Sequence, residues 1–235
     1  SAYKALMLGS DLIRNGRYRN VLVISSGISS SELIDSYYNQ QKVTKEEVFL
    51  RYFLSDGASA VVLKADLKPS DGLYVKSNYI ESTGGRKPSA MGNRRPARYM
   101  NPKEEFELGY HHLAQMFRDD LRNHFHEPDG TVFIKGLKRM LSIYPVDLKK
   151  VKYLQVNFPA AHITNLIMDE CEEIGIQRAA YYSKMSSMGY LGPPMALLCL
   201  DMIAREEQME PGDLIISFVT EVSKFMQGGY VIEKI

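Results

Sequence analysis

A mixed α/β fold is predicted by three features of the sequence. Apolar segments with helical period alternate with short strand-like apolar runs, a glycine turn at Gly189-Tyr190-Leu191-Gly192-Pro193-Pro194 opens the apolar stretch from Met195 to Ile203, and Pro211-Gly212-Asp213 leads a final pair of strands. The 235 residues, 45% of them hydrophobic, suffice for one large domain or two small ones with a substantial core.

Each element follows from its local pattern. Ala5, Leu6, Leu8, Leu12 and Ile13 recur at helical spacing, so a helix is expected from Ala2 to Asn15, stopped where Gly16 can take the left-handed conformation. That helix starts without a cap and without an initiator Met, and the chain is therefore expected to lack its beginning. Val21 to Ser25 reads as a buried strand, Ser25 to Ser31 as a loop, and Glu46 to Phe53 as the lead into a strand from Ala58 to Leu63. Beyond the polar connector Lys64 to Asp71, a strand is expected from Leu73 to Ile80.

From Ser82 to Pro102 periodicity is lost, glycines and prolines gather, and Arg86, Lys87, Arg94, Arg95 and Arg98 make the loop basic. Phe106, Tyr110, Leu113, Phe117, Leu121 and Phe125 then recur in steps of three or four, which predicts an amphipathic helix ending before Pro128-Asp129-Gly130. A second helix should run from Val132 to Tyr144. Lys152 to Asn157 reads as a strand, Ile163 to Ile174 as a helix stopped by Gly175. These elements divide the chain into residues 1–80, a basic loop with its helix at 81–130, and residues 131–235.

Charge and composition narrow the classes of function. A net charge of +1 supplies no field that would gather nucleic acid or an anionic membrane. No apolar run approaches the ~18 residues needed to cross a bilayer. Cys171 and Cys199 lie inside helical apolar patterns without metal or disulfide spacing, which points to buried thiols in a reducing compartment, the cytoplasm. His111-His112 and His124-x-His126 read as surface residues, because no carboxylate completes a metal-binding spacing.

Three blocks carry a resemblance. Ser55-Asp56-Gly57-Ala58 runs into an apolar strand, Met209-Glu210-Pro211-Gly212-Asp213-Leu214-Ile215-Ile216-Ser217 turns into the penultimate strand, and the glycine turn at 189–192 lies between them. In this order the chain resembles the carboxy-terminal two-thirds of thiolase-fold condensing enzymes, most of all the β-ketoacyl-acyl-carrier-protein synthase III group. The resemblance implies a layered α-β-α-β-α fold with an incomplete first half and an inserted helix near 103–126. It also implies thioester condensation or acyl transfer in fatty acid or polyketide biosynthesis. No permanently bound cofactor is expected; the substrate is a thioester of coenzyme A or of phosphopantetheine.

Laid on Tyr3-Lys4-Ala5-Leu6, the family pattern puts the nucleophilic cysteine just upstream of Ser1, where the helix dipole would lower its pKa. The family's histidine has three candidate places. Counting forward from Tyr153-Leu154 reaches Asn157, counting back from Gly175 reaches Ala160, and His162-Ile163-Thr164-Asn165 reproduces the His-x-x-Asn spacing. The family's asparagine falls on Tyr190, which either donates a hydrogen bond or plugs the acyl pocket. Where the family has a glycine run, this chain reads Thr220-Glu221-Val222-Ser223-Lys224. Arg94, Arg95 and Arg98 are candidates to hold coenzyme A phosphates or the acidic surface of an acyl-carrier protein. The departures leave open an alternative, a catalytically inactive partner subunit of a condensing-enzyme heterodimer. A missing amino-terminal segment or companion chain, and a homodimer or pseudo-symmetric heterodimer, are the expected partners.

Overall fold

The structure, a computed structural model, describes residues 2–30, 45–65, 72–88, 91–92, 101–107, 115–116, 125–158, 160–221 and 225–235. In chain order the first elements are α1 (Ala2–Arg14), β1 (Asn20–Gly27), α2 (Lys45–Phe53), β2 (Gly57–Lys64) and β3 (Leu73–Ser82). Next come β4 (Met91–Gly92), α3 (Pro102–Glu107), β5 (Gln115–Met116), β6 (His126–Glu127), β7 (Gly130–Thr131), α4 (Val132–Ile143) and β8 (Val151–Gln155). The chain closes with α5 (Ala161–Glu173), β9 (Tyr181–Tyr182), α6 (Met185–Met188), α7 (Met195–Glu206), β10 (Leu214–Thr220) and β11 (Met226–Lys234).

The main sheet has five strands in the order β3-β11-β10-β8-β9. Strand β11 runs antiparallel to both of its neighbours, β3 and β10, while β8 lies parallel to both β10 and β9. Strand β10 is buried on both faces, which is why Leu214-Ile215-Ile216 reads as an unbroken apolar run. Alternate side chains go to different cores. Leu214, Ile216 and Phe218 pack with Phe133, Leu137 and Met140 of α4 and with Ile167, Met168 and Cys171 of α5. Ile215 faces the other way, into a cluster with Ala2, Tyr3 and Leu6 of α1 and Leu197, Cys199 and Ile203 of α7.

Beyond α1 and α7 lies a second sheet, the antiparallel pair β1 and β2. Val23 is buried in the core that holds α1 and α7, and Val21, Val61 and Leu63 pack against it. The successive layers are therefore β1–β2, α1 with α7, the main sheet, and α4 with α5, the expected thiolase-type layering. The opposite face of β1–β2 presents Leu22, Ile24 and Val62, each more than half exposed. Leu22 pairs directly with Val62 in the ladder. Strand β3 hydrogen-bonds along β11 from Leu73 to Ser82 and so belongs to the main sheet.

The strands extend beyond the apolar runs that announce them, to Asn20–Gly27 and Gly57–Lys64, because ladder pairing continues from Asn20↔Lys64 to Gly27↔Gly57. The inserted helix near 103–126 is interrupted. Pro102–Glu107 is helical, but Gln115–Met116 pairs as a strand with Met91–Gly92, using backbone groups that a continuous helix would keep to itself. Helix α4 begins at Thr131, whose hydroxyl oxygen accepts the Ile134 N–H at 3.2 Å. Glu170 of α5 fixes that cap by accepting both the Thr131 N–H at 2.7 Å and its hydroxyl at 2.5 Å.

Candidate active site at the glycine turn

The turn before α7 is built by glycine geometry and by two backbone stitches. Gly189 holds φ 70° and ψ −172°, and a Cβ there would sit 2.0 Å from Ser55 Oγ, so both conformation and space require glycine. The Tyr190 N–H donates to Phe53 O at 3.0 Å, and the Ser55 N–H donates to Tyr190 O at 2.9 Å. Leu54 and Tyr190 thereby form a parallel bridge between the end of α2 and the turn. Leu191, buried, lies against the start of β2, where a Cβ on Gly57 would meet its side chain at 2.9 Å. The Ser59 hydroxyl of β2 donates to Pro194 O at 2.9 Å.

The motif Ser55-Asp56-Gly57-Ala58 secures the same region. Asp56 accepts the Ser30 N–H at 2.7 Å and the Ser30 hydroxyl, and these bonds hold its carboxyl below the usual carboxylate range. It thus ties the segment after β1 to the start of β2.

Beside the turn lies an open pocket of about 290 Å³, walled by Tyr52 and Phe53 of α2, Phe158, Ala160 and Ala161 before and at the start of α5, Met185 and Ser186 of α6, and Gly189 with Tyr190. None of these side chains is charged. The Tyr190 ring stacks on Phe53 at 4.6 Å and 14°, and Phe53 stacks in turn on Phe49 at 5.1 Å and 17°. Burial raises the Tyr190 pKa, and the nearby Glu221 carboxylate adds to the rise.

Under the start of α1 runs a buried polar chain. The Tyr3 hydroxyl lies 2.7 Å from Ser217 Oγ, which donates to Gln155 O at 3.1 Å, and the Tyr230 hydroxyl lies 2.7 Å from Gln155 Oε1 and 3.1 Å from Ala196 O. Burial pushes the Tyr3 pKa up, the Ser217 bond draws it back, and the neighbouring Tyr190 and Cys199 add to the rise. Tyr190 is therefore an electrostatic neighbour of Tyr3 in the first turn of α1 and of Glu221, although the three come from distant parts of the sequence. Strand β11 reaches α1 closely because Gly228 is bare: a Cβ there would meet Tyr3 Cβ at 3.0 Å. The pair Gly228-Gly229, with Gln155, is missing from the site residues singled out by sequence. Its available signal was glycine inside a strand pattern, which marks close backbone approach.

The three candidates for the histidine position separate. Asn157 is half-buried after β8, its Oδ1 accepting the Ser183 hydroxyl at 2.9 Å. Ala160 lines the pocket. His162 is exposed on the first turn of α5 and does not line that pocket. Tyr190 and the positions around Asn157 thus share one neighbourhood through Phe158, Ala160 and Ala161, while His162 is exposed and outside that lining. Arg94, Arg95 and Arg98 lie outside the described residues, as do His111, His112 and His124. Among the described residues no group of His, Cys, Asp and Glu is arranged to hold a metal ion, and no helix is long and apolar enough to cross a membrane.

Cys171 and Cys199 are fully buried, and burial pushes their thiols up to about 12 and about 11. Neither supplies thiolate near neutral pH. Their place is in the two helix-to-sheet cores.

The layering defines the class of fold, that of thiolase-type condensing enzymes. Residues 1–83 match the family described as 3-oxoacyl-[acyl-carrier-protein (ACP)] synthase III. No curated protein matches the chain. Among solved structures, the tetronic acid condensing enzyme AbyA1 is 16% identical with a TM-score of 0.73, over 99% of this chain and 62% of its own. The 3-oxoacyl-[acyl-carrier-protein] synthase III of Aquifex aeolicus is 18% identical with a TM-score of 0.67, over 99% of this chain and 63% of its own. OleA of Xanthomonas campestris is 14% identical with a TM-score of 0.71, over 98% and 61%. The chain thus spans a little over three-fifths of the length of these relatives in structure. It is similar to the synthase III group in sequence over its first 83 residues and in fold throughout.

Proposed function

We propose that the chain is part of a synthase-III-like acyltransferase, which forms or transfers an acyl group taken from a thioester of coenzyme A or of an acyl-carrier protein. The nucleophilic cysteine lies just upstream of Ser1, at the head of α1. The observation that carries this reading is the uncharged aromatic pocket beside Tyr190, at the turn that the resemblance sets against the family's asparagine, with Tyr190 and Tyr3 as electrostatic neighbours. Tyr190 supplies the hydroxyl donor to a thioester oxygen in place of that asparagine, with Asn157 or His162 as the second polar group. Arg94, Arg95 and Arg98 meet the phosphates of the substrate, and the protein works in the cytoplasm as a dimer, with itself or with a related chain.

A second reading has its own support. His162 is exposed and outside the pocket, and the residue that the resemblance sets at the family's asparagine position is the larger Tyr190. On that basis the chain is a non-catalytic partner of an active condensing subunit.

Acyl transfer by the intact protein separates the two. Incubated with acyl-coenzyme A, an enzyme gains the mass of one acyl group at a cysteine immediately before Ser1-Ala2, and Tyr190→Phe lowers turnover roughly ten- to a thousandfold. A protein that takes no acyl group, or whose residue before Ser1 is not cysteine, is the partner. Unchanged turnover in both Tyr190→Phe and His162→Ala removes these two residues from the chemistry.

A further inference from the structure

A polar row crosses one end of the main sheet. Glu81 of β3 pairs with Gln227 of β11, and Gln227 pairs with Thr220 of β10, so the three side chains stand abreast on the face that α4 covers. Arg139 of α4 spans two of them: its Nε–H donates to Glu81 Oε2 at 2.8 Å and a terminal N–H to Gln227 Oε1 at 2.8 Å. The Gln227 amide donates in turn to Val132 O at 2.8 Å and to the Thr220 hydroxyl oxygen at 2.9 Å. Gln227 is fully buried with both amide hydrogens and its carbonyl oxygen engaged, which fixes the orientation of its side chain. Gly136 allows α4 to come this close, because a Cβ there would lie 2.2 Å from Gln227 Oε1; glycine inside a helix is otherwise unfavourable.

The row ends one residue short of Glu221. Phe218 of β10 faces α4, and alternation along the strand turns Glu221 to the other face, where Leu191 of the glycine turn packs with Ile215 and Val219. The Glu221 N–H prolongs the ladder by one step, donating to Met226 O at 2.7 Å. On the β11 side, Phe225 holds φ 52°, in the left-handed region, and its carbonyl oxygen accepts both the N–H and the hydroxyl of Thr83 at 3.1 and 2.7 Å. Both ends of the passage from β10 to β11 are thus tied to the end of β3. We infer that Arg139, acting through Gln227 and Thr220, positions the Glu221 carboxylate beside Tyr190. Arg139 lies across the sheet from Tyr190 and is therefore a positioning residue. Two acceptors at fixed angles need the forked guanidinium, which the point charge of a lysine does not replace. The effect on turnover rests on the acyl-transfer reading above; the placement of Glu221 does not.

Fluorine NMR of the protein labelled with fluorotyrosine tests this, since Tyr190→Phe identifies the line of Tyr190 by its loss. Glu221→Gln should displace that line, and Arg139→Met should displace it as well, whereas Lys138→Met, a neighbouring exposed charge on α4, should leave it in place. In a Glu221→Gln background Arg139→Met should add little, because the side chain it misplaces no longer carries a charge. Arg139→Lys keeps a cation near Glu81 but loses the fork; it should act in the same direction and serves if Arg139→Met does not fold. With acyl-coenzyme A as donor, the Arg139 variants should lose about tenfold in kcat at unchanged KM. A Tyr190 line indifferent to Glu221→Gln, one that ignores both Arg139 variants, or an Arg139 displacement undiminished in the Glu221→Gln background overturns the inference. Displacement through Arg139 in a protein that transfers no acyl group sinks the enzymatic reading alone; transfer by a protein whose Tyr190 line ignores Arg139 sinks the inference alone.

Discussion

At position 189 the backbone holds a conformation with φ 70° and a missing Cβ would lie 2.0 Å from Ser55 Oγ. Gly189→Ala therefore has to strain both the turn and the α2–β2 connection, and it should cost about 1–3 kcal/mol in chemical denaturation. Gly192, with φ 66° and open space around it, provides the contrast. Gly192→Ala bears only the conformational cost, about 1 kcal/mol; an equal loss for both would remove the contact with Ser55 from the account. Sequence alone identified this turn, which carries Tyr190. It gave no hint that Ser55, Phe53 and Phe158 gather beside the turn, because contacts across long stretches of chain leave no local periodicity. The cysteines were legible for the opposite reason: apolar helical spacing already implies burial, and burial is the main cause of their raised pKa values, with Glu170 and Glu172 adding to the rise at Cys171.

Elements were recovered best where one pattern dominates. Strands β1, β2 and β10 and helices α4, α5 and α7 follow directly from apolar period, and their ends moved by only a few residues when ladder bonds and caps were counted. The apolar spacing from Phe106 to Phe125 misled, since a six-residue helix at Pro102–Glu107 gives way to the strand Gln115–Met116. Spacing fixes which residues share a face only if a surface exists to pack on. Near that segment, Glu127 on β6 joins Lys87 at 2.7 Å and Lys135 of α4 at 2.8 Å. Hydrogen bonds from Lys135 and then Lys87 bring its pKa down from 4.5 to about 2. A carboxylate depressed on folding stabilises above its unfolded value and loses that contribution as pH falls through the folded one. Stability should therefore decline between pH 4.5 and about 2, and Glu127→Gln should lower neutral-pH stability by about 1 kcal/mol, since solvent screens a pair this exposed. Thermal unfolding followed against pH tests it: a Glu127→Gln protein with the parent's full acid sensitivity would assign the decline to other carboxylates.

Across the whole molecule, the two sheets differ in cover. The main sheet is packed on both faces, whereas β1–β2 shows Leu22, Ile24 and Val62 to solvent. A folded chain with this face open should enhance the fluorescence of a hydrophobic dye, and Leu22→Thr with Ile24→Thr should abolish most of the gain while leaving the β1–β2 ladder intact. Dye binding untouched by the pair would place the apolar surface elsewhere. The layered architecture was legible as an order of motifs, but the position of Tyr190 between the influence of Tyr3 and that of Glu221 was not, because it arises only when distant parts of the chain come together. The stitch between Phe53, Ser55 and Tyr190 has a consequence in time as well as in space. Each of the two amides involved is shielded by the other segment's carbonyl, so neither exchanges its proton with solvent unless α2's end and the turn part company. Two stretches of chain more than a hundred residues apart thus share one opening event, and the ring wall of the pocket parts or closes with them.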